Sequence, residues 1–200
     1  SLWAYADKSL EQNICGLDFK NPIGLSAGFD YDGDLVEILP SIGFGFNTVG
    51  TLTYEPYNGN PAPMLERLPK SRALLVNKGF KNNGVKSVLS SFSENQSMAP
   101  RGVSIGSTNK PYTDFQEMLH DIEKGFREAE NFDNFDYYEL NISCPNLLNL
   151  QNLKEQLASP TGLRQALEIL AGLNLKRPVF IKMPLERTEG EIKEMLDVAS

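Results

Sequence analysis

Apolar positions along this chain fall into two patterns. Short apolar runs bounded by Gly, Pro or Asn read as buried strands over residues 13–19, 23–27, 46–49, 102–106, 137–142 and 178–183. Between them lie stretches of helical spacing. Residues 34–39 read as a short helical segment, and 82–92 as a helix with Val85, Val88 and Leu89 on one face. The clearest helix opens at Thr113, with Gln116 three positions on as a capping box. Its apolar stripe is Phe115, Met118, Leu119, Ile122 and Phe126. Ser159-Pro160-Thr161 opens another helix, with Pro near its first turn and Leu163, Leu167 and Leu170 along it. A last helix is expected over 190–199. The connection 52–70 is rich in Pro, Asn and Gly, and its length points to a functional loop or a small hairpin of its own. Residues 90–100 are polar and read as an exposed loop.

This alternation predicts an α/β chain with a parallel sheet and right-handed crossovers. Polar residues gather just after the strands: Asp30, Thr51, Ser107, Asn141 to Asn146, and Lys182. A (β/α)8 barrel carries its site at that end. A doubly wound sheet does so at its switch point, so this placement alone does not separate the two. Five of the runs read as core strands, whereas a barrel has eight in about 250 residues. The barrel reading therefore takes 1–200 as the N-terminal portion of a single TIM-barrel domain, cut after about the fifth strand.

Composition narrows the function classes. A hydrophobic content of 40% and a charged content of 22% are those of an ordinary globular chain. The net charge is −7, the pI is about 4.8, and no basic cluster stands out. That argues against a nucleic-acid surface. No apolar run approaches the ~20 residues that span a bilayer, and no signal-peptide pattern opens the sequence. The first residue is Ser1 rather than Met, which leaves a processed or longer N-terminus open. Two cysteines make no disulfide framework, so a reducing, cytoplasmic setting is expected. Cys15, between Ile14 and Gly16, is expected to be a packing residue. His120, the single histidine, lies off the apolar stripe near Gln116 and Glu123 and reads as a solvated helix residue. The acidic run over 128–136 reads as a solvated helix end, and no metal is expected.

The richest chemistry is Asn141-Ile142-Ser143-Cys144-Pro145-Asn146. A thiol, a hydroxyl and two carboxamides leave one buried strand end together, and Pro145 fixes the turn. Carboxamides pair donors with acceptors and suit a planar polar ligand. A thiol there is either a base or nucleophile of tuned pKa or a small structural core residue.

An ordered set of segments around this turn is similar to the dihydroorotate dehydrogenases, the FMN enzymes of pyrimidine synthesis. The set runs Gly16-Leu17-Asp18-Phe19-Lys20-Asn21-Pro22-Ile23-Gly24-Leu25-Ser26-Ala27-Gly28-Phe29-Asp30, Gly43-Phe44-Gly45-Phe46 and Gly50-Thr51-Leu52-Thr53. It continues with Gly59-Asn60-Pro61-Ala62-Pro63, Gly79-Phe80, residues 102–106, the turn at 141–146 and Phe180-Ile181-Lys182. Any one segment is weak, but the ordered set is specific. It reaches the family's fifth barrel strand, and the later strands, which carry much of the FMN phosphate site, lie beyond it.

The resemblance implies oxidation of dihydroorotate to orotate in de novo pyrimidine (UMP) biosynthesis. A proton leaves C5 to an enzyme base and a hydride leaves C6 to flavin N5. Cys144 matches the base. Cysteine there resembles the soluble class 1 enzymes, whereas membrane-associated class 2 enzymes use serine. Such a thiol needs some thiolate at neutral pH, so its site is expected to favour the anion. Asn141 and Asn146 match side chains that hold the pyrimidine ring, Asn141 also facing the cofactor. Lys182 matches the lysine near flavin N1 and O2, where positive charge stabilises the reduced flavin. Ala27, Gly28 and Thr51 match flavin contacts, and Ser104 aligns with an FMN-contacting Asn of class 2. Gly79 and Phe80 match a substrate-facing loop, and Asn82 lies where the family often has another Asn.

Three positions depart from the class 2 pattern. Ser104 is one. Tyr31 stands where class 2 has Lys. Val76 stands where a substrate-contacting Asn is found, with Asn77 one residue on. Lys78 or Lys81 is the candidate to restore the missing charge. The electron acceptor stays open among quinone, fumarate and NAD through a partner. Peripheral membrane association would need a longer N-terminus. Related readings are a dihydropyrimidine dehydrogenase domain, a dihydrouridine synthase, or a non-catalytic barrel piece whose open edges call for a homo-oligomer or a longer chain.

Overall fold

The computed structural model describes residue 5 and residues 7–92, 98–150, 152–184 and 186–200. Of the exposed loop expected over 90–100, residues 93–97 lie outside the described residues.

The first strand expected from the sequence is instead an antiparallel hairpin, β1 (Gln12–Ile14) and β2 (Leu17–Phe19). Cys15 and Gly16 form its turn with φ of 53° and 81°. Two positive φ values are what a tight hairpin of matching twist requires. Cys15 is therefore exposed at a turn and is not a packing residue. Next come β3 (Gly24–Leu25) and β4 (Phe46–Leu52). No α-helix forms over 34–39. Asp30 instead accepts from the N–H groups of Gly33, Asp34 and Leu35 at 2.9–3.0 Å, and a short 3₁₀ segment follows at Leu39–Ile42. Gly33 and Pro40 favour this tightened path over a regular helix.

A small hairpin, one of the two outcomes that the length of the 52–70 connection suggested, begins within it as β5 (Leu65–Leu68) and returns beyond it as β6 (Ala73–Val76). Helix α1 is Val85–Ser91, three residues shorter at its start than expected. Asn82, just before it, is buried and bonds to backbone around it instead of turning helically. Strand β7 (Arg101–Ile105) leads to α2 (Phe115–Ala129). The expected stripe is buried on α2, but the cap is shifted by one residue. Asp114 accepts from Glu117 N–H at 2.9 Å and Glu117 accepts from Thr113 N–H at 2.7 Å, in line with the stronger capping of Asp than Thr. Strand β8 (Tyr137–Asn141) is followed by a short α3 (Asn152–Leu157), which the periodicity does not show. Ser159 caps α4 (Pro160–Ala171) with Pro160 in its first turn. Strand β9 (Val179–Lys182) and α5 (Glu189–Ala199) complete the chain. No helix of the described residues is long and apolar enough to cross a membrane.

The main sheet has the order β3-β4-β7-β8-β9, every pair parallel. Spatial order follows chain order, with no reversal. A doubly wound sheet reverses at its switch point, so this is the wall of a barrel, built in part. Tyr138 and Leu140 point outward and are fully buried under the helices, with Tyr138 5.1 Å from Phe126 between ring centroids. The alternate residues Tyr137, Glu139 and Asn141 line the opposite, inner face. Aromatic rings close the bottom of that face: Tyr137 against Phe180 at 5.1 Å and Phe19 against Phe46 at 5.5 Å. Gly102 is required beneath them, because a Cβ there would collide with the Tyr137 ring. The polar strand ends gather at the other, open end.

Candidate active site

The cleft at that open end has a volume of about 300 Å³. Ala27 and Gly28 follow β3, Thr51 is the last residue but one of β4, Asn141 ends β8 and Lys182 ends β9, and all line the cleft. Gly28 has a φ of 104°, and a Cβ built on it meets nothing within 4 Å, so a flat ligand can approach the backbone there. Lys182 Nζ donates to the Ala27 carbonyl at 3.4 Å, across the mouth from β9 to β3. Cys144, Pro145 and Asn146 form one wall of the cleft. A second cavity of about 450 Å³ lies beyond, with Asn141, Cys144 and Lys182 again among its lining and Lys154 and Arg187 on its far side.

The opposite wall is the loop 76–80. Val76, Lys78, Gly79 and Phe80 line the cleft with Tyr31. Gly79 has a φ of 63°, and Asn60, Asn109 and the Asn146 carbonyl occupy the space where a Cβ would stand. Asn77 is turned from the lining, its Oδ1 accepting from Asn60. Asn82 lies beneath the loop. Its two N–H groups go to Thr53 Oγ1 and the Phe80 carbonyl, and its oxygen accepts from the N–H groups of Thr53 and Gly84. Ser104 is fully buried below Thr51, with the two hydroxyls 2.9 Å apart. Of the two candidate lysines, Lys78 faces the cleft and Lys81 is exposed outside its lining.

Sequence reasoning missed the side chains that lock the walls together. Buried Asn60 donates to Asn77 Oδ1 and to the Asn146 carbonyl, both at 2.8 Å. Its oxygen accepts from Tyr57 Oη and Asn109 Nδ2. Asn109 also donates to the Gly79 carbonyl and accepts from Asn149 N–H. Asn146 Nδ2 donates to the Val76 carbonyl at 3.0 Å. The Cys144 turn and the loop 76–80 are thus held by one carboxamide network. The available signal was the density of Asn in the loops after β4 and β7, residue types that bond readily to nearby backbone.

Cys144 is partly buried, and burial pushes its thiol above the ordinary value of 9.0. The Asn146 N–H and the charges of Lys182 and Lys154 act the other way but are weaker. The expected preference for the anion is therefore not met. Desolvation opposes the charged form more than these groups favour it. Burial also raises the Tyr31 phenol, with a further push from Cys144. His120 is exposed on α2, 3.0 Å from Glu123.

A partial parallel barrel with this polar mouth matches one family throughout. The dihydroorotate dehydrogenase family model matches residues 9–200. The chain belongs to the dihydroorotate dehydrogenase family. A dihydroorotate dehydrogenase (quinone) of Synechococcus sp. (strain JA-3-3Ab) is 38% identical over 202 residues, covering 99% of this chain and 51% of the relative. The enzyme of the same name from Trichodesmium erythraeum is 34% identical over 202 residues, covering 98% and 51%. Ligand-free DHODH from Eimeria tenella superposes with a TM-score of 0.77 at 27% identity, covering 97% of this chain and 59% of that one. The family is one of oxidoreductases, and its barrel is the architecture of which this chain forms the first strands. The chain spans about half the length of the curated relatives it matches.

Proposed function

We propose that residues 1–200 are the N-terminal portion of a single FMN-binding barrel domain that oxidises dihydroorotate to orotate in pyrimidine biosynthesis. The observation that carries this reading is the convergence of Cys144, Asn141, Asn146, Lys182 and Thr51 on one cleft. The donor set fits FMN. Open backbone at Ala27-Gly28, the Thr51 hydroxyl, the Asn141 amide and the Lys182 ammonium suit a flat ring with a carbonyl edge. Ser104 supports Thr51 from below. FMN bound there would take the hydride from C6 of the substrate.

The chain's own residues do the rest. Cys144 Sγ takes the proton from C5. It must first lose its own, and Lys182, Lys154 and the Asn146 N–H are the groups that favour that state. Asn141 and Asn146 hold the substrate ring, while Asn77, turned from the lining, braces the loop through Asn60. Gly79 and Phe80 bring the opposite wall over it, braced by Asn82 beneath. Lys78 meets the substrate carboxylate, supplying the charge that Tyr31 lacks. The relatives from Synechococcus and Trichodesmium are named as quinone enzymes, which supports a quinone as the final acceptor.

The test is FMN binding, followed by loss of flavin fluorescence, in the chain and in its Lys182→Ala and Thr51→Val variants. Binding that each variant weakens supports the reading. No binding by the parent, or binding indifferent to both changes, contradicts it.

A further inference from the structure

The turn that carries Cys144 is braced on two sides, and the braces differ in kind. Toward the loop 76–80 the contacts are neutral. Asn146 Nδ2 donates to the Val76 carbonyl at 3.0 Å, and Asn60 donates to the Asn146 carbonyl at 2.8 Å. On the other side the Lys154 ammonium donates to the Pro145 carbonyl at 2.8 Å. Among the described residues it is the one charged side chain bonded to the turn 143–148. Pro145 directly follows the thiol-bearing residue, and Cys144 and Lys154 line the same cavity of about 450 Å³.

Lys154 reaches the turn from an anchored helix. Its neighbour Leu153 packs against the core and donates its N–H to the Leu150 carbonyl at 2.9 Å, and Leu157 is buried at the end of α3. Glu155, whose charge would oppose that of Lys154, instead meets Arg187 at 3.3 Å, and Arg187 also meets Glu191 at 3.4 Å. The other charged or titratable groups around Cys144 are Lys182 at the end of β9, Tyr31 and Lys78 across the cleft, and Glu186 in the lining of the larger cavity. Burial pushes the thiol up, and the positive charges of Lys182 and Lys154 act against it.

We propose that Lys154 is a positioning residue for Cys144: bonded to the Pro145 carbonyl, its ammonium pins the turn that carries the thiol and sets a positive charge beside it. A neutral donor would serve for pinning alone. The charge adds a bias toward the thiolate, the form that accepts a proton. This inference deepens the functional reading above and rests on it only for what the thiolate does.

The experiment is iodoacetamide labelling of Cys144 against pH, without flavin or substrate, in a Cys15→Ser background. Lys154→Met moves the profile to higher pH and slows labelling at neutral pH by about threefold to tenfold. Lys154→Arg, which keeps the charge and a donor, restores the parent profile. Lys154→Gln, which keeps a neutral donor, does not. Lys20→Met removes the same charge next to Phe19, at the closed bottom of the sheet, and leaves the profile in place. A profile that Lys154→Met does not move overturns the proposal. So does a changed rate at high pH with an unchanged midpoint, which is what loss of packing alone would give. A moved profile together with no oxidation of dihydroorotate by the FMN-loaded, full-length parent supports the role of Lys154 and counts against the functional reading alone.

Discussion

Lys78 Nζ stands 4.1 Å from the centroid of the Tyr31 ring, and both residues line the cleft opposite Cys144. The ring face attracts the ammonium and holds it over the mouth. A tyrosine where a lysine is expected thus serves as the platform for a lysine from another loop. Lys78→Met is expected to raise KM for dihydroorotate about tenfold to a hundredfold, the loss of one charge-assisted contact. Tyr31→Leu removes only the platform, worth about 0.5–1 kcal/mol, and should raise KM about twofold to fivefold. Tyr31→Phe keeps the ring and should change little. Steady-state kinetics of the FMN-loaded protein check all three.

The raised thiol of Cys144 gives a pH signature. A buried thiol resists ionisation, so alkylation at neutral pH should be slow and should accelerate only as pH climbs beyond 9.0. A folded-state pKa above the ordinary value contributes stability at neutral pH that is lost as pH rises through the folded value. The measurement is iodoacetamide labelling against pH in a Cys15→Ser background, since the exposed Cys15 would otherwise dominate. Labelling of Cys144 that is already complete and rapid at pH 7 would count against burial as the controlling effect.

Asn60 joins the two walls, so its loss should be felt in both. Asn60→Ala removes four hydrogen bonds among buried and half-buried partners. A destabilisation of about 2–3 kcal/mol is expected from urea unfolding. Faster amide exchange should appear at Gly79 and Asn146 together. Exchange that rises at only one wall would show that the network does not couple them.

Much of the fold was legible because burial writes itself into apolar spacing. The runs that became β4, β7, β8 and β9 and the stripe of α2 are all of that kind. Turn geometry was less legible. Ile14-Cys15-Gly16 looks like a continuous apolar run, and only the positive φ at Cys15 makes it a hairpin. The apolar pattern alone left barrel and doubly wound sheet open, since the choice depends on strand order rather than on strand content, and it was the family resemblance that pointed to the barrel. In the site, residues clustered at strand ends could be named one by one. The Asn60 network could not, because its bonds join loops 86 residues apart in sequence. Nor could the state of Cys144, which is set by how deeply the folded walls bury it.

The most direct test of the central claim is anaerobic mixing of dihydroorotate with the FMN-loaded, full-length protein, comparing the parent with Cys144→Ala. The flavin absorbance of the parent should bleach within the dead time or in the first seconds. In Cys144→Ala the bleaching should slow by about 10²–10⁴-fold, the usual contribution of a positioned base, with FMN still bound. Bleaching at the parental rate in the variant would contradict the role of Cys144, and no bleaching in the parent would contradict dihydroorotate as the substrate.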